Sequence, residues 1–491
     1  MLDGDALVSD GPVLIEDDGT SQQATDATQL RAALASVQQQ LLSLELDRGS
    51  VVGIVAPLGV AHLVTLLAAV RAGLVVVPIN LQLEDEALRY VLRDAGVVVL
   101  LTESGSAPPL VDVKVVEIDF EFAPDGMPPA VVPVAAGDTA VIMYTSGSTG
   151  RPKGVPISHG GYCWAFAQFA VLRDTMARRT GLVAAPLFHM NGQFHLLNLL
   201  SCGARVVLLR SFSAAGLLSA IERHQVYRAT GVPTMYALAA AHMAQARLAP
   251  VSCVQMLALG SAPLSQALHV QLQQCFPRAL ITNGYGTTET GPVSFGAHPD
   301  GRPTPPTALG YPMPGVELKL VDGDREDRGT LWLKNPMTLR GYLNRPEATV
   351  NSVRDGWYVT GDVLERDAEG FYYFAGRDDD MMQVGGENLY PREVEARLES
   401  HPAVAAAAVV PVADAIKAEK PVAFVVLHDD KDVTAEALRA HCLANGPAFA
   451  HPRSVYLLEA LPLAATNKVD RALLTQWAAR RQRDPDSGPT S

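Results

Sequence analysis

Tyr144-Thr145-Ser146-Gly147-Ser148-Thr149-Gly150-Arg151-Pro152-Lys153-Gly154 is the stretch on which the reading of this chain turns. It follows an apolar run, Thr139 to Met143, that predicts a buried strand, and it precedes Ser158-His159-Gly160-Gly161, which predicts a helix start. Glycines at Gly147, Gly150 and Gly154 let the backbone bend tightly and approach a ligand closely. Hydroxyls on Thr145, Ser146, Ser148 and Thr149 lie between them, and Lys153 adds a positive charge. Such a loop can offer backbone N–H groups, hydroxyls and one cation to a polyphosphate. The Walker spacing, in which Gly-Lys is followed directly by Ser or Thr, is absent. Taken alone, the segment also fits a solvated Ser/Gly linker, because turns favour the same residues.

The rest of the chain bounds what that loop can serve. With 491 residues there is length for more than one domain and an ample core. Apolar residues make up 48% and charged residues 19%, with a net charge of −13, and no basic stripe is visible, so nucleic acid is not an expected partner. Cys163, Cys202, Cys253, Cys275 and Cys442 stand apart from one another, which fits reduced thiols in a cytoplasmic protein and predicts neither a disulfide framework nor a thiolate metal site. The opening residues Met1-Leu2-Asp3-Gly4-Asp5 do not read as a secretory signal. The richest apolar region, Val51 to Leu101, is interrupted by Pro57, His62, Arg71, Pro78 and Glu84, so it reads as core elements and not as a membrane span.

Residues 1 to about 28 read as a polar, poorly ordered start. A helix is predicted over Leu30–Leu46, then strand Val51–Ala56, helix Val60–Ala72, strand Val75–Ile79, helix Asp85–Asp94 and strand Val97–Leu101. Beyond the loop the alternation resumes, with strands at Leu182–Ala185, Arg205–Leu209, Tyr227–Gly231, Val254–Leu259 and Leu280–Asn283. Such alternation predicts an α/β fold of mainly parallel sheets covered by helices, with ligands at the carboxyl ends of the strands. After Pro299 short strands separated by turns, at Val316–Val321, Gly329–Leu333 and Phe371–Phe374, predict a small β subdomain. A charged break at Gly376-Arg377-Asp378-Asp379-Asp380 precedes a small α+β unit whose first helix starts at Pro391. The expected division is residues 1–376, a hinge at 377–379, and residues 380–491.

Three further clusters carry chemistry. In Asn283-Gly284-Tyr285-Gly286-Thr287-Thr288-Glu289, two glycines let backbone approach a flat ligand, the tyrosine ring can stack on a base, and Thr288 can donate to a phosphate. Glu289 is a hard oxygen ligand suited to Mg²⁺, although an exposed glutamate is the default for such a turn. In Tyr358-Val359-Thr360-Gly361-Asp362 a carboxylate can accept both hydroxyls of a ribose, with Arg377 as a second clamp; alone, an Asp in a Gly-Asp turn is more often a turn former. Pro186-Leu187-Phe188-His189-Met190-Asn191-Gly192-Gln193 follows a predicted strand, and His189 reads as a pocket residue or as a satisfied core histidine.

These motifs, in this order, resemble the adenylate-forming superfamily, which holds acyl-CoA synthetases, peptide-synthetase adenylation domains and luciferases. The resemblance runs from about residue 30 to about residue 480, and its type is the AMP-dependent acid–CoA ligase. It implies a large N-terminal adenylation domain with a small mobile C-terminal lid. It also implies ATP and Mg²⁺ as reactants, pyrophosphate release from an acyl-adenylate, and acyl transfer to the thiol of CoA. It assigns the nucleotide to Thr145–Gly150, Lys153, Ser261, Ala262, Pro263, Asn283–Thr288, Asp362 and Arg377, and the metal to Glu289. Asp379 matches the hinge, Gly385-Gly386-Glu387 the tunnel for the pantetheine thiol, and Lys468, in Asn467-Lys468-Val469, the catalytic lysine. An ammonium there would offset the repulsion between a carboxylate and the α-phosphate it attacks.

The acid pocket implied by the resemblance takes His189, Asn191, Gly192, Val232, Gly260, Gly284 and Gly286. No aspartate lies between Gly181 and Leu209, which disfavours an α-amino acid. Two departures concern the acceptor. The acidic turn followed by Gly-Glu becomes Ile416-Lys417-Ala418-Glu419-Lys420, and the Tyr/Phe-Lys-x-Pro segment becomes Phe449-Ala450-His451-Pro452, without its lysine. Arg453 and Lys417 are candidates to compensate. The acceptor is thus CoA, or the phosphopantetheine arm of a carrier protein, or an amine.

Overall fold

Seven strands make the larger of two helix-covered sheets in the computed structural model, which describes residues 12–19, 21–80, 83–103, 113–120, 129–145, 151–384, 387–414, 418–428, 431–464 and 468–483. Leu280–Gly284, Met256–Gly260, Arg228–Gly231, Thr180–Val183, Arg205–Leu209 and Pro12–Asp17 pair in parallel, in that order. Gln22–Asp26 closes the edge antiparallel. The second sheet runs Lys114–Ile118, Val97–Glu103, Val51–Val55, Val75–Pro78 and Thr139–Thr145 in parallel, with Lys153–Ser158 antiparallel at the edge. Their central strands are near-continuous Val, Ile and Leu because both faces are covered: Val52, Ile54, Val76, Val77 and Leu100 are inaccessible to solvent. Helix Ala27–Ser43 begins on a capping box between Asp26 and Gln29, and helix His159–Gln168 begins where the Ser158 hydroxyl accepts from Gly161 N at 3.1 Å.

Three expectations need correction. Residues 12–17 and 22–26 are strands and not a disordered lead, because Leu14 and Ile15 fill the core beside Val206 and Val207. Lys153 is not in a loop: it opens the strand Lys153–Ser158 and faces Thr145 across an antiparallel pair. Asp362 is no turn former either. It sits inside the ten-residue strand Trp357–Arg366, where Gly361 takes a left-handed φ of 72° beside an irregularity in the register.

The β subdomain is an antiparallel sheet of Glu317–Arg325, Arg328–Lys334, Trp357–Arg366 and Val353–Arg354, extended by Tyr372–Arg377. The last unit has its own sheet of Glu387–Leu389, Met382–Val384, Ala418–Leu427, Val404–Asp414 and Ser454–Leu458, and its own core around Val409, Phe424, Leu438 and Leu474. It rests on the larger body through Arg328, whose Nη2 lies 2.6 Å from Glu393 Oε1 and whose guanidinium stacks over Tyr390. Among the described residues no helix is long and apolar enough to cross a membrane.

Candidate active site

The nucleotide side of the site is built on Asp362, which is only 6% exposed. Arg377 Nη1 donates to its Oδ1 at 2.7 Å and the Tyr285 hydroxyl donates to its Oδ2 at 2.5 Å. Burial pushes the Asp362 carboxyl up, and the Arg377 guanidinium is the largest influence holding it down. Arg377 is shared. Its Nε and Nη2 form a fork with Asp379 at 2.7 and 3.0 Å, so the anticipated hinge residue is tied to the anticipated ribose clamp. Tyr285 is 9% exposed and its ring packs edge-on against Phe295. Its hydroxyl thus orients Asp362, a role its aromatic character did not suggest.

Glu289 stands on a tight turn in which Thr290 N donates to Thr287 Oγ1 at 3.1 Å and Thr287 bridges to Gly291. Leu339 N donates to the Glu289 backbone carbonyl, and the Tyr342 hydroxyl donates to Oε1 at 2.9 Å. Tyr342 is also the platform for Lys153, whose Nζ lies 4.9 Å from the ring centroid. The hydroxyls of Tyr342 and Tyr358 are 3.3 Å apart. Burial raises the Tyr358 phenol, and both Glu289 and Asp362 act on it as nearby anions. Tyr342 and Tyr358 thus link Lys153, Glu289 and Asp362.

On the acid side His189 is the residue before helix Met190–Ser201, and Gln193 N donates to its carbonyl. Its Nε2 is buried without a hydrogen-bond partner, and burial, then the charge of Lys468, lowers its pKa to about 4. Asn191 Nδ2 donates to Ser261 Oγ at 3.1 Å, while Asn191 Oδ1 has no partner. Ser261 holds a left-handed φ of 66°, a strained conformation of the kind that clusters at functional sites. Gly260 and Gly284 face each other on adjacent strands, and a side chain on Gly260 would crowd the carbonyl of Gly284 at 3.1 Å.

Other anticipated pocket residues have a packing reason to be small. A Cβ on Gly192 would lie 2.3 Å from Pro186 O, and one on Gly286 would lie 2.4 Å from Gly291 O. Val232 is buried in the core below the sheet. Asn283 spends its amide on Thr307 O at 2.8 Å. Thr288, Ala262 and Pro263 flank these groups on partly or fully exposed loops. Ser146, Gly147, Ser148, Thr149 and Gly150, together with Gly385, Gly386, Lys417 and Asn467, lie outside the described residues, whereas Glu387 opens the strand Glu387–Leu389.

Lys468 belongs to the small unit, and its charge acts on His189 while Asp362 and Arg377 act on it. Ala464 N donates to its carbonyl at 2.8 Å and Leu463 bridges to Val469, so the lysine projects from a pinned turn just before helix Arg471–Arg483. The ammonium keeps contact with solvent in a cleft crowded enough that desolvation lowers its pKa; Asp362 is the main opposing charge and Arg377 adds to the lowering. At the position of the missing lysine, Ala450 is fully buried, and Arg453 donates to His451 Nε2 at 2.9 Å. Tyr342 escaped sequence reading because no motif marks it, and Tyr358, although it opens the motif that ends in Asp362, carried no role there.

A model of the AMP-binding enzyme family matches residues 9–343, and a model of the AMP-binding enzyme C-terminal domain matches residues 393–468. A feruloyl-CoA synthase from Amycolatopsis is 34% identical over 460 residues, covering 90% of this chain and 91% of that protein. Among solved structures, an o-succinylbenzoate CoA synthetase from Bacillus subtilis, bound to its acyl-adenylate, has a TM-score of 0.80 at 28% identity and covers 96% of both chains. An anthranilate CoA ligase bound to anthranoyl-AMP has a TM-score of 0.84 at 26% identity and covers 98% of both. The match takes in well over half of the chain and keeps both parts in order, so this protein belongs to the AMP-binding enzyme family.

Proposed function

We propose that this chain is an acid–CoA ligase: it joins a carboxylic acid to AMP from ATP, releases pyrophosphate, and passes the acyl group to the thiol of CoA. What most supports the reading is that the charge of Lys468, on the small unit, acts on His189 and is itself acted on by Asp362 and Arg377. Asp362 has about four acceptor sites, of which Arg377 and Tyr285 use two, leaving the others for the ribose hydroxyls. Lys153 and Thr145, which face each other at the ends of paired strands, would hold the phosphates. Lys468 stands where negative charge gathers as the acid oxygen attacks the α-phosphorus. His189, held neutral at pH 7, can donate to or accept from the acid without adding charge.

Glu289 fits a magnesium ion. One of its oxygens is held by Tyr342, its remaining lone pairs are available, and among the described residues no denser cluster of His, Cys, Asp or Glu offers an all-protein cage. When bound, the ion screens the phosphate oxygens; the chain's own part is to hold the carboxylate rigid through Tyr342 and the Leu339 amide.

For the second half-reaction, Asp379 is the hinge between residues 1–376 and 380–491. Turning there breaks its fork with Arg377, withdraws Lys468 and presents residues 385–387 to the acyl-adenylate. The five unpaired cysteines support a cytoplasmic setting. A carrier-protein arm is the second reading, favoured by buried Ala450, which cannot supply the cation that CoA phosphates would use. The test is pyrophosphate release across a panel of carboxylic acids with CoA consumption followed in parallel. Acid-dependent release with matching CoA consumption supports the ligase. Release without CoA consumption favours the carrier arm, and no acid-dependent release refutes adenylation.

A further inference from the structure

Helix Met190–Ser201 buries Phe194, Leu196, Leu197, Leu199 and Leu200, and one of its faces carries a polar stripe. Asn191, His195, Asn198 and Cys202 follow at spacings of four, three and four, which places them in line on one side. The stripe starts at the reacting end, where Asn191 meets Ser261, and runs about 16 Å along the helix at 1.5 Å per residue. It leads away from His189 toward the amino ends of the sheet strands, where nothing in the adenylation chemistry calls for polar groups.

Arg228 waits at that deeper end. It opens the strand Arg228–Gly231, is 4% exposed, and lies in register with Met256, four residues before Gly260. Its Nε has no hydrogen-bond partner, and among the described residues no carboxylate pairs with it. Its guanidinium lies over the Phe169 ring, 5.8 Å from centroid to Cζ, and is close enough to Cys202 and His195 to act on both. Burial lowers the arginine to about 10, and it lowers His195 to about 3, with Arg228 as the second cause. A buried cation without a counter-charge is costly, and proteins seldom keep one unless an anion arrives. His195 and Asn191, by contrast, keep partial solvent contact although protein surrounds them, as residues lining an internal pocket do. On the opposite wall Met256 and Ala258 are likewise partly accessible.

We propose that Arg228, with His195 beside it, is the far wall of the acid pocket and that the natural acid is a dicarboxylate whose second carboxylate pairs with Arg228. This rests on the acid–CoA ligase reading and names the substrate class for it. Four residues of strand separate the levels of Arg228 and Gly260, about 13 Å at 3.3 Å per residue, which sets an upper bound on the spacing of the two carboxylates. A neutral isostere would leave the guanidinium unpaired, so discrimination should be strong.

The test uses the full chain and pyrophosphate release with straight-chain α,ω-dicarboxylic acids of five to ten carbons, each paired with its monomethyl ester. At the best chain length the diacid should exceed its ester by at least tenfold in kcat/KM, and Arg228→Met should shrink that ratio at least fivefold. Arg228→Lys, which keeps a cation, should hold the ratio closer to wild type, and thermal melts show whether each variant is folded. Esters used as well as diacids by the wild-type protein would overturn the proposal, whatever the variants do. So would a folded Arg228→Met that loses both substrates in equal proportion, the mark of a purely structural arginine. Release with apolar aryl or fatty acids alone would also overturn it while leaving the ligase intact, whereas no release with any acid would refute the ligase reading itself.

Discussion

Replacing Arg377 by methionine probes how the nucleotide is held. The side chain spans two carboxylates: that of Asp362, which is buried, and that of Asp379, whose side chain is 49% exposed. The Asp379 fork stands in water and is worth little, whereas the bond to Asp362 sits at the edge of a buried site. A hydrogen bond to a charged partner contributes about 1.5–3 kcal/mol. Because the arginine itself is 40% exposed, the lower end applies, about 1.5 kcal/mol or roughly tenfold in AMP affinity. The loss should also depend on pH. Burial already raises the Asp362 carboxyl, and Arg377 is the main group opposing that rise. Without it the carboxylate protonates at higher pH, so acidification neutralises the ribose acceptor in the variant sooner than in the wild type. Titration calorimetry with AMP at pH 8, 7 and 6 should give a variant-to-wild-type ratio of dissociation constants near ten that grows as pH falls. Asp379→Ala should weaken AMP by less than about threefold. A ratio within twofold at every pH, or an equal loss in Asp379→Ala, would refute the reasoning.

Tyr342→Phe removes the hydroxyl that fixes Glu289, and the Mg²⁺ concentration for half-maximal pyrophosphate release should rise about tenfold or more, as for other groups that orient a metal ligand; an unchanged magnesium titration would count against Glu289 as the ligand. His189, lowered to about 4, is neutral throughout pH 6–8, so adenylation in that range should show no inflection that His189→Ala abolishes. Asp379→Pro fixes φ at the proposed hinge and should slow thioester formation at least tenfold more than it slows pyrophosphate release, with Asp379→Ala controlling for the lost charge; equal loss of both steps would argue against a hinge.

Much of the fold was legible because local patterns and tertiary fate agree. Strand Arg205–Leu209 and helix Pro391–Glu399 begin where the sequence predicts them, one an apolar run and the other opened by proline in its first turn. The strand Pro12–Asp17 was hidden because its partner, Val206 to Leu209, is nearly two hundred residues away and its flanks are polar. Lys153 and Asp362 read as site candidates on loops but lie in strands, since glycine neighbours signal turns while long-range pairing decides strands. The acidic and basic members of the site were visible as motifs. The supporting hydroxyls were not: Tyr342 and Tyr358 act through neighbours that only the folded chain brings within reach, and Arg228 is an arginine at a strand start like any other until its lack of a partner is seen.

The account depends on an ammonium from the small unit acting in the first half-reaction only. The most direct measurement takes Lys468→Ala and an accepted acid, and follows pyrophosphate release alongside thioester formation from supplied acyl-adenylate and CoA. Pyrophosphate release should fall about 10²–10³-fold, the size of losing one positioned electrostatic stabiliser, while thioester formation from the supplied adenylate stays within about threefold of wild type. Unchanged pyrophosphate release, or equal loss of the two steps, would contradict it.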